Sequence, residues 1–207
     1  MNIAIISDTH GEHEKLGTLS GEVLIHCGDM FNLFSPGDDD VERMDEWFGK
    51  QDFELILCTG GNHDCALEDR LTITSNPFKN AIYLQDQSYV HRGVIFYGSP
   101  WIPELYGHAF YQDDDQLEKI WSEIPADTDV LITHTPPAGI LDVSSRGLEL
   151  GCVHLARELK RISPTLHCFG HVHASAGVHV SDGINFINAS SVNSQFELIR
   201  PPYEFTL

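Results

Sequence analysis

Ile3-Ala4-Ile5-Ile6-Ser7-Asp8-Thr9-His10-Gly11 begins as an apolar run and passes without a break into a serine, an acid, a hydroxyl, an imidazole and a glycine. A short apolar run rich in β-branched residues reads as a buried strand. The polar residues at its exit lie where α/β folds place ligand sites. Four further segments share this grammar: Ile25-His26-Cys27-Gly28-Asp29, Cys58-Thr59-Gly60-Gly61-Asn62-His63-Asp64, Leu131-Ile132-Thr133-His134 and Cys168-Phe169-Gly170-His171-Val172-His173. Taken singly, each has a bland reading: Gly-Asp as a turn, a histidine after a strand as a satisfied core group. Five in succession, each ending a strand, are not explained that way.

Around these blocks, strands are expected at Ile3 to Ile6, Val23 to Ile25, Leu55 to Leu57, Val94 to Tyr97, Val130 to Thr133, Leu166 to Phe169 and Ile184 to Ile187. Helices are expected over Val41 to Phe48, Leu117 to Trp121 and Cys152 to Ile162. The acidic runs Asp38 to Asp40 and Asp113 to Asp115 open the first two, because carboxylates are favoured at helix N-termini. From Ala81 onward the closely spaced signals at Tyr83, Tyr89 to His91 and Ile95 to Tyr97 predict antiparallel additions. The expectation is an α/β chain, residues 1–207 forming one domain, with a two-sheet sandwich flanked by helices.

The five cysteines are scattered without a C-x-x-C pair, so they are expected to be reduced and mostly buried. No apolar run reaches the roughly 20 residues a membrane-spanning helix needs, and no basic segment precedes the first apolar stretch. A cytoplasmic protein without membrane contact is expected. A net charge of -19 argues against polymeric nucleic acid as a partner. An anionic substrate must therefore be drawn in by a local positive charge, and bound divalent ions supply one.

The five blocks together resemble the signature of the calcineurin-like metallophosphoesterases: D-x-H, G-D, G-N-H-[DE], a lone histidine after a strand, and G-H-x-H. The resemblance implies a four-layer fold, two mixed β-sheets packed as a sandwich with helices outside. It implies that Asp8, His10 and His173 hold one metal, that Asn62, His134 and His171 hold a second, and that Asp29 bridges both. A mixed nitrogen and oxygen donor set without thiolate suits manganese foremost, with iron, zinc, cobalt or nickel as alternatives. The implied reaction is in-line attack on phosphorus by a hydroxide held between the ions. His63 is then the proton donor to the leaving group, and Asp64 either orients His63 or caps the next helix.

Tyr97-Gly98-Ser99-Pro100-Trp101, Thr133-His134-Thr135-Pro136-Pro137 and Ile187-Asn188-Ala189-Ser190 look like the metallophosphoesterase-domain-containing subgroup, usually grouped with class III cyclic nucleotide phosphodiesterases. That points to a small phosphodiester substrate such as a cyclic nucleotide. Trp101, His108 and Tyr111, in a loop punctuated by glycine and proline, are candidates for contact with a base. A phosphomonoesterase or a protein phosphatase would use the same ligands, and only Arg92, Arg146 and Arg157 are placed to serve the latter. A non-catalytic scaffold is disfavoured by the intact Asn62-His63-Asp64. Self-association stays open.

Overall fold

A computed structural model describes residues 1–32, 37 and 39–207. One sheet has the order β11-β1-β2-β3-β4, formed by β1 (Asn2–Ile6), β2 (Ser20–His26), β3 (Asp52–Cys58), β4 (Ile82–Tyr83) and β11 (Tyr203–Thr206). The other has the order β5-β6-β7-β8-β10-β9: β5 (Gln87–His91), β6 (Val94–Ser99), β7 (Val130–Thr133), β8 (Leu166–Phe169), β9 (Gly177–Ser181) and β10 (Ile184–Asn188). Both sheets are mixed. β1, β2, β3 and β4 run parallel, as do β6, β7, β8 and β10, while β11, β5 and β9 are antiparallel edges.

Side-chain alternation explains why two sheets pack. Ile3 and Ile5 of β1, Val23 and Ile25 of β2, and Leu55 and Leu57 of β3 face Phe96, Val130, Ile132, Leu166 and Cys168 of the other sheet, all in one buried cluster. The residues between them, Ile6, Leu24, Ile56 and Cys58, face outward into a second cluster. That cluster is covered by α1 (Asp40–Phe48) and α2 (Cys65–Leu71), with Val41, Met44, Trp47 and Phe48 of α1 buried at helical spacing. Each such side chain stabilises the layer by about 1.5–3 kcal/mol. The opposite face carries Tyr97, Leu131 and Phe169 against Leu117 and Trp121 of α3 (Asp114–Ser122) and Leu155 and Leu159 of α4 (Val153–Ile162). The result is the expected four-layer sandwich.

One expectation needs correction. Tyr83 lies in β4, which pairs in parallel with β3, so the first signal after Ala81 extends the first sheet, while the other two form β5 and β6, which pair antiparallel in the second. Both acidic runs open helices as expected: Asp113 caps α3 by accepting from Gln116 N at 2.9 Å, and Asp39 and Asp40 begin α1, though Asp39 makes no side-chain cap bond and Asp38 lies outside the described residues. No described helix is long and apolar enough to cross a membrane. All five cysteines are free, and only Cys65 is exposed.

Candidate metal centre

The C-terminal ends of β1, β2, β3, β7 and β8 converge on one rim of the sandwich, and each delivers one of the five motif blocks there. The exits are laced by backbone hydrogen bonds, Asp8 N to Gly28 O at 2.9 Å and His10 N to Asp29 O at 3.1 Å. Asp8, His10, Asp29 and His171 all have left-handed backbones, with φ of 52°, 45°, 54° and 68°. Residues with a Cβ enter this region at a cost, and such outliers cluster where surrounding structure over-determines them. Here the reversal turns each side chain into the space between the strand ends. Glycine is required where loops touch. A Cβ on Gly61 would lie 2.3 Å from Asp29 Oδ1, and one on Gly170 would lie 2.2 Å from Asp8 Oδ2.

The donor atoms meet at short range. Those of Asp8, His10 and His173 lie within 4.8 Å of one another, as do those of Asp8, Asp29 and His134. His10 Nε2 is 3.3 Å from His173 Nε2, which is 3.3 Å from Asp8 Oδ1. His134 Nε2 is 3.3 Å from Asp29 Oδ2 and 3.1 Å from Asn62 Oδ1, and His171 Nδ1 is 2.9 Å from the same amide oxygen. Asp29 Oδ2 also stands 3.9 Å from His10 Nε2, and Asp8 belongs to both groups. Ligand bonds of about 2.0–2.1 Å span edges of about 2.9 Å at a right angle and about 3.4 Å at the tetrahedral angle. The observed spacings match those edges, so the residues fit a pair of first-row divalent ions.

The electrostatics agree. Asp8 and Asp29 are buried, which alone would raise their carboxyl pKa values; neighbouring histidines nevertheless hold both well below the ordinary range. Burial opposes a charge on His134, yet Asp29 and then Asp8 lift its pKa to about 9. The pocket thus draws positive charge onto itself, and a proton on His134 occupies the role a cation would take. The tautomers are set for ligation. His134 Nδ1 donates to Cys27 O at 2.8 Å, which leaves Nε2 to face Asp29. Asp8 is aimed by Ser190 Oγ at 2.7 Å and by His171 N at 3.1 Å from both its oxygens.

Asp64 takes neither of the roles expected of it. Its Oδ1 accepts from Met30 N at 2.8 Å and Phe31 N at 3.0 Å, and its Oδ2 from Gly61 N at 2.9 Å. No side-chain bond caps α2, and His63 Nδ1 is buried without a hydrogen-bond partner. The carboxylate is spent on pinning the Asn62-His63 turn to the loop after Asp29. Burial, reinforced by Asp29, pushes it up to about 8 against the pull of those amide groups. His63 itself is held by its backbone, N to Asp29 Oδ1 at 2.8 Å, and its Nε2 is 4.0 Å from Asp29 Oδ2. His26 plays a supporting part, accepting from Gly28 N on Nδ1 (3.2 Å) and so donating from Nε2 to Thr9 Oγ1 (3.0 Å).

Comparison with known proteins bears directly on this arrangement. The family model of the calcineurin-like phosphoesterases matches residues 1–175. The chain belongs to that family. It is 34% identical to metallophosphoesterase domain-containing protein 1 of Homo sapiens over 95% of this chain and 68% of the human one. It is 32% identical to a UPF0046 protein of Caenorhabditis elegans over 98% of this chain and 59% of the worm one. Among solved structures, phosphopantetheinyl hydrolase from Mycobacterium tuberculosis superposes with a TM-score of 0.62 at 13% identity, covering 94% of this chain and 90% of that one, a likeness of fold.

For this calcineurin-like phosphoesterase the loop candidates separate. His108 comes to the centre, its ring centroid 6.2 Å from that of His63. Trp101 is tied back, with Nε1 donating to Asp86 Oδ2 at 2.7 Å and its ring against Phe110. Tyr111 pairs with Tyr106 and bridges to Ile102. Among the described residues, neither Trp101 nor Tyr111 hydrogen-bonds to or stacks on a member of the ligand set. Arg92 is engaged by Glu22 and Glu54, and Arg157 by Glu118. Phe196, which no motif singled out, packs on His10, His63 and His173. A cavity of about 760 Å³ along α4 and β10 shares no residue with the centre.

Proposed function

We propose that this chain is a dinuclear phosphodiesterase for small substrates, with cyclic nucleotides the foremost class, and that His63 is its general acid. Family membership carries the coarser statement, metal-dependent hydrolysis of a phosphoester. The observation that supports the finer one is the position of His63. Its Nε2 faces the shared carboxylate of Asp29 from 4.0 Å, outside both donor groups, and its side chain is 13% exposed.

In this reading Asp8, His10 and His173 hold one ion, Asn62, His134 and His171 the other, and Asp29 serves both. Bound divalent ions, manganese by preference, supply Lewis acidity, neutralise the phosphoryl oxygens and lower the pKa of water. The remaining work falls to protein groups. Burial lowers the pKa of His63 and Asp29 raises it, so the negative charge of an arriving phosphodiester adds to that of Asp29 and draws a proton onto the imidazole. As the P–O bond to the leaving group breaks, Nε2 passes its proton to the departing oxygen and an alcohol leaves.

A protein phosphatase would present basic residues near the centre, and two of the three arginines considered for that role, Arg92 and Arg157, are held by glutamates. Reduced cysteines, four of the five buried, suit a cytoplasmic protein. The test compares bis-p-nitrophenyl phosphate with p-nitrophenyl phosphate, each with manganese and after chelation. The diester is expected to be cleaved faster, and chelation to abolish turnover. His63→Ala is expected to keep the metal content and lose turnover, most for poor leaving groups. Loss of metal in that variant would contradict the assignment.

A further inference from the structure

The second sheet ends on a strand that nothing guards. β9 reads Gly177-Val178-His179-Val180-Ser181, and its Val178 and Val180 are 58% and 63% exposed. A free sheet edge is a template for another strand, and proteins blunt it with charge, brevity or a covering element. The other three edges are blunted. β4 is two residues long, β11 carries Glu204, and β5 runs into Arg92, which Glu22 and Glu54 hold to the first sheet. Residues 174–181, by contrast, contain no Asp, Glu, Lys, Arg or Pro. On the helical side, α4 leaves the open cavity over Ile184 and Phe186 of β10, so no helix lies across the approach to β9.

The hairpin fixes which backbone groups of β9 face outward. Asp182 and Gly183 have φ of 51° and 80°, the two-residue turn that makes Ser181 and Ile184 a hydrogen-bonded pair. Pairs alternate from there, so His179 bonds to Phe186, while the N–H and C=O of Val178 and Val180 point away from β10. Laid antiparallel on itself about His179, the strand sets Val178 opposite Val180 of a second copy and Val180 opposite Val178. Each outward N–H then meets an outward C=O. Val178 and Val180 share one face, opposite Ile187 and Asn185, so four valines meet on one side of the joined sheet.

The same register carries a charge match. One residue beyond the strand, Asp182 comes opposite Ala176 of the other copy, next to Ser175. Ser175 Oγ donates to Val143 O at 2.7 Å, in the hairpin closed by Val143 and Glu149. At the tip of that hairpin stands Arg146, exposed and with no ion pair or hydrogen bond from its guanidinium among the described residues. The wider surface agrees. Residues 143–181 carry Arg146, Arg157, Lys160 and Arg161 against Glu149 and Glu158, a net of +2, so -21 falls on the rest of the chain. Two molecules of net charge -19 repel each other least where that charge is sparsest. Val143, Leu148 and Val153 add exposed apolar surface to the same stretch.

We infer that β9 is a dimer interface. Two copies of this chain pair β9 antiparallel across a two-fold axis at His179, joining their six-stranded sheets into one, with Asp182 of each copy against Arg146 of the other. The interface begins four residues after the ligand-type residue His173, and it depends on neither the metals nor the substrate.

The test is sedimentation of the full chain, with circular dichroism and melting recorded for every variant. The wild type is expected to be a dimer at about 50 µM. Val180→Pro removes an outward N–H that the ladder to β10 does not use, and is expected to be monomeric with the melting of the wild type. Because proline can also unsettle a strand, the double variant Val178→Lys, Val180→Lys provides the second arm. It sets like charges opposite one another and is expected to give the same monomer. Asp182→Asn, which tolerates the left-handed turn, and Arg146→Gln are each expected to weaken the dimer about threefold, and together no more than either alone. Multiplying losses would overturn the register. A wild type monomeric at that concentration, whatever other strand β9 then accepts, or a dimer indifferent to both β9 variants, would overturn the interface.

Discussion

Asp64→Asn separates a carboxylate that acts on chemistry from one that holds loops. Asp64 accepts three amide hydrogens, two on Oδ1 and one on Oδ2. An asparagine can place its oxygen opposite Met30 N and Phe31 N, but its amide nitrogen then faces Gly61 N at a site where the wild type has a 2.9 Å bond. One hydrogen bond is lost and two donors are opposed in a buried place, which costs roughly 2–3 kcal/mol. Asp64→Ala leaves three donors unpaired and should cost roughly 4 kcal/mol or more. For a chain of 207 residues each kcal/mol lowers Tm by about 2–4 °C, so the asparagine variant is expected to melt roughly 5–10 °C early. Because the carboxylate ties the Asn62-His63 turn to the loop after Asp29, metal content should fall with stability. Calorimetry and metal analysis on the same preparations check both. A variant that melted like the wild type, kept its metals and yet lost turnover would refute this account and return Asp64 to the chemistry of His63.

Gly61→Ala would drive a Cβ to 2.3 Å from Asp29 Oδ1 and 2.7 Å from His134 Cε1, so the variant is expected to fold with a secondary structure near that of the wild type but to lose metal by elemental analysis, with turnover down at least a hundredfold. Removing the ions with a chelator should lower Tm by several degrees, since ligand at about a hundred times its Kd stabilises by about 2.7 kcal/mol. The difference should shrink below pH 6, where protons compete for the histidines. His167 governs a separate acid sensitivity. Thr133 Oγ1 donates to Thr135 O at 2.7 Å and so accepts from His167 Nε2 at 2.9 Å, which leaves Nδ1 buried and unprotonated. Burial lowers the pKa of His167 to about 3. The unfolded chain takes up this proton below about pH 6.5 and the folded one does not, so the associated stability is present above that pH and is lost as pH falls toward 3. His167→Gln is expected to flatten the fall by about 1.4 kcal/mol per pH unit between pH 6 and 4, read from denaturant midpoints. An unchanged slope would show that the site titrates elsewhere.

The strands that were legible are those buried on two faces. β1, β2, β3, β7 and β8 each carry one row of apolar side chains between the sheets and another under helices, so they read as continuous runs. β9 and β11 carry partly exposed residues along sheet edges, and β4 is two residues long, so none forms a continuous apolar run. The same division runs through the centre. Seven ligand-type residues stand out because side-chain identity carries their role and a strand exit marks each position. Much of what orients them and the groups behind them is main chain: Cys27 O for His134, Gly28 N for His26, the amides around Asp64. A carbonyl or an amide is present at nearly every position, so the spelling of the chain does not say which one a side chain will meet. Asp64 follows His63 in the G-N-H-[DE] motif, yet consecutive residues of a tight turn point apart, and the acid meets three amides instead. Phe196 was passed over for the converse reason. Its position depends on a left-handed φ held by Asn193, and nothing in Ser194-Gln195-Phe196-Glu197 announces that a phenyl ring will cross to His10 and His173 from a loop more than 160 residues from His10 in the chain. Ligand identity is therefore local information and ligand orientation is not, so a substitution that preserves every motif can still dismantle the centre by removing one backbone acceptor.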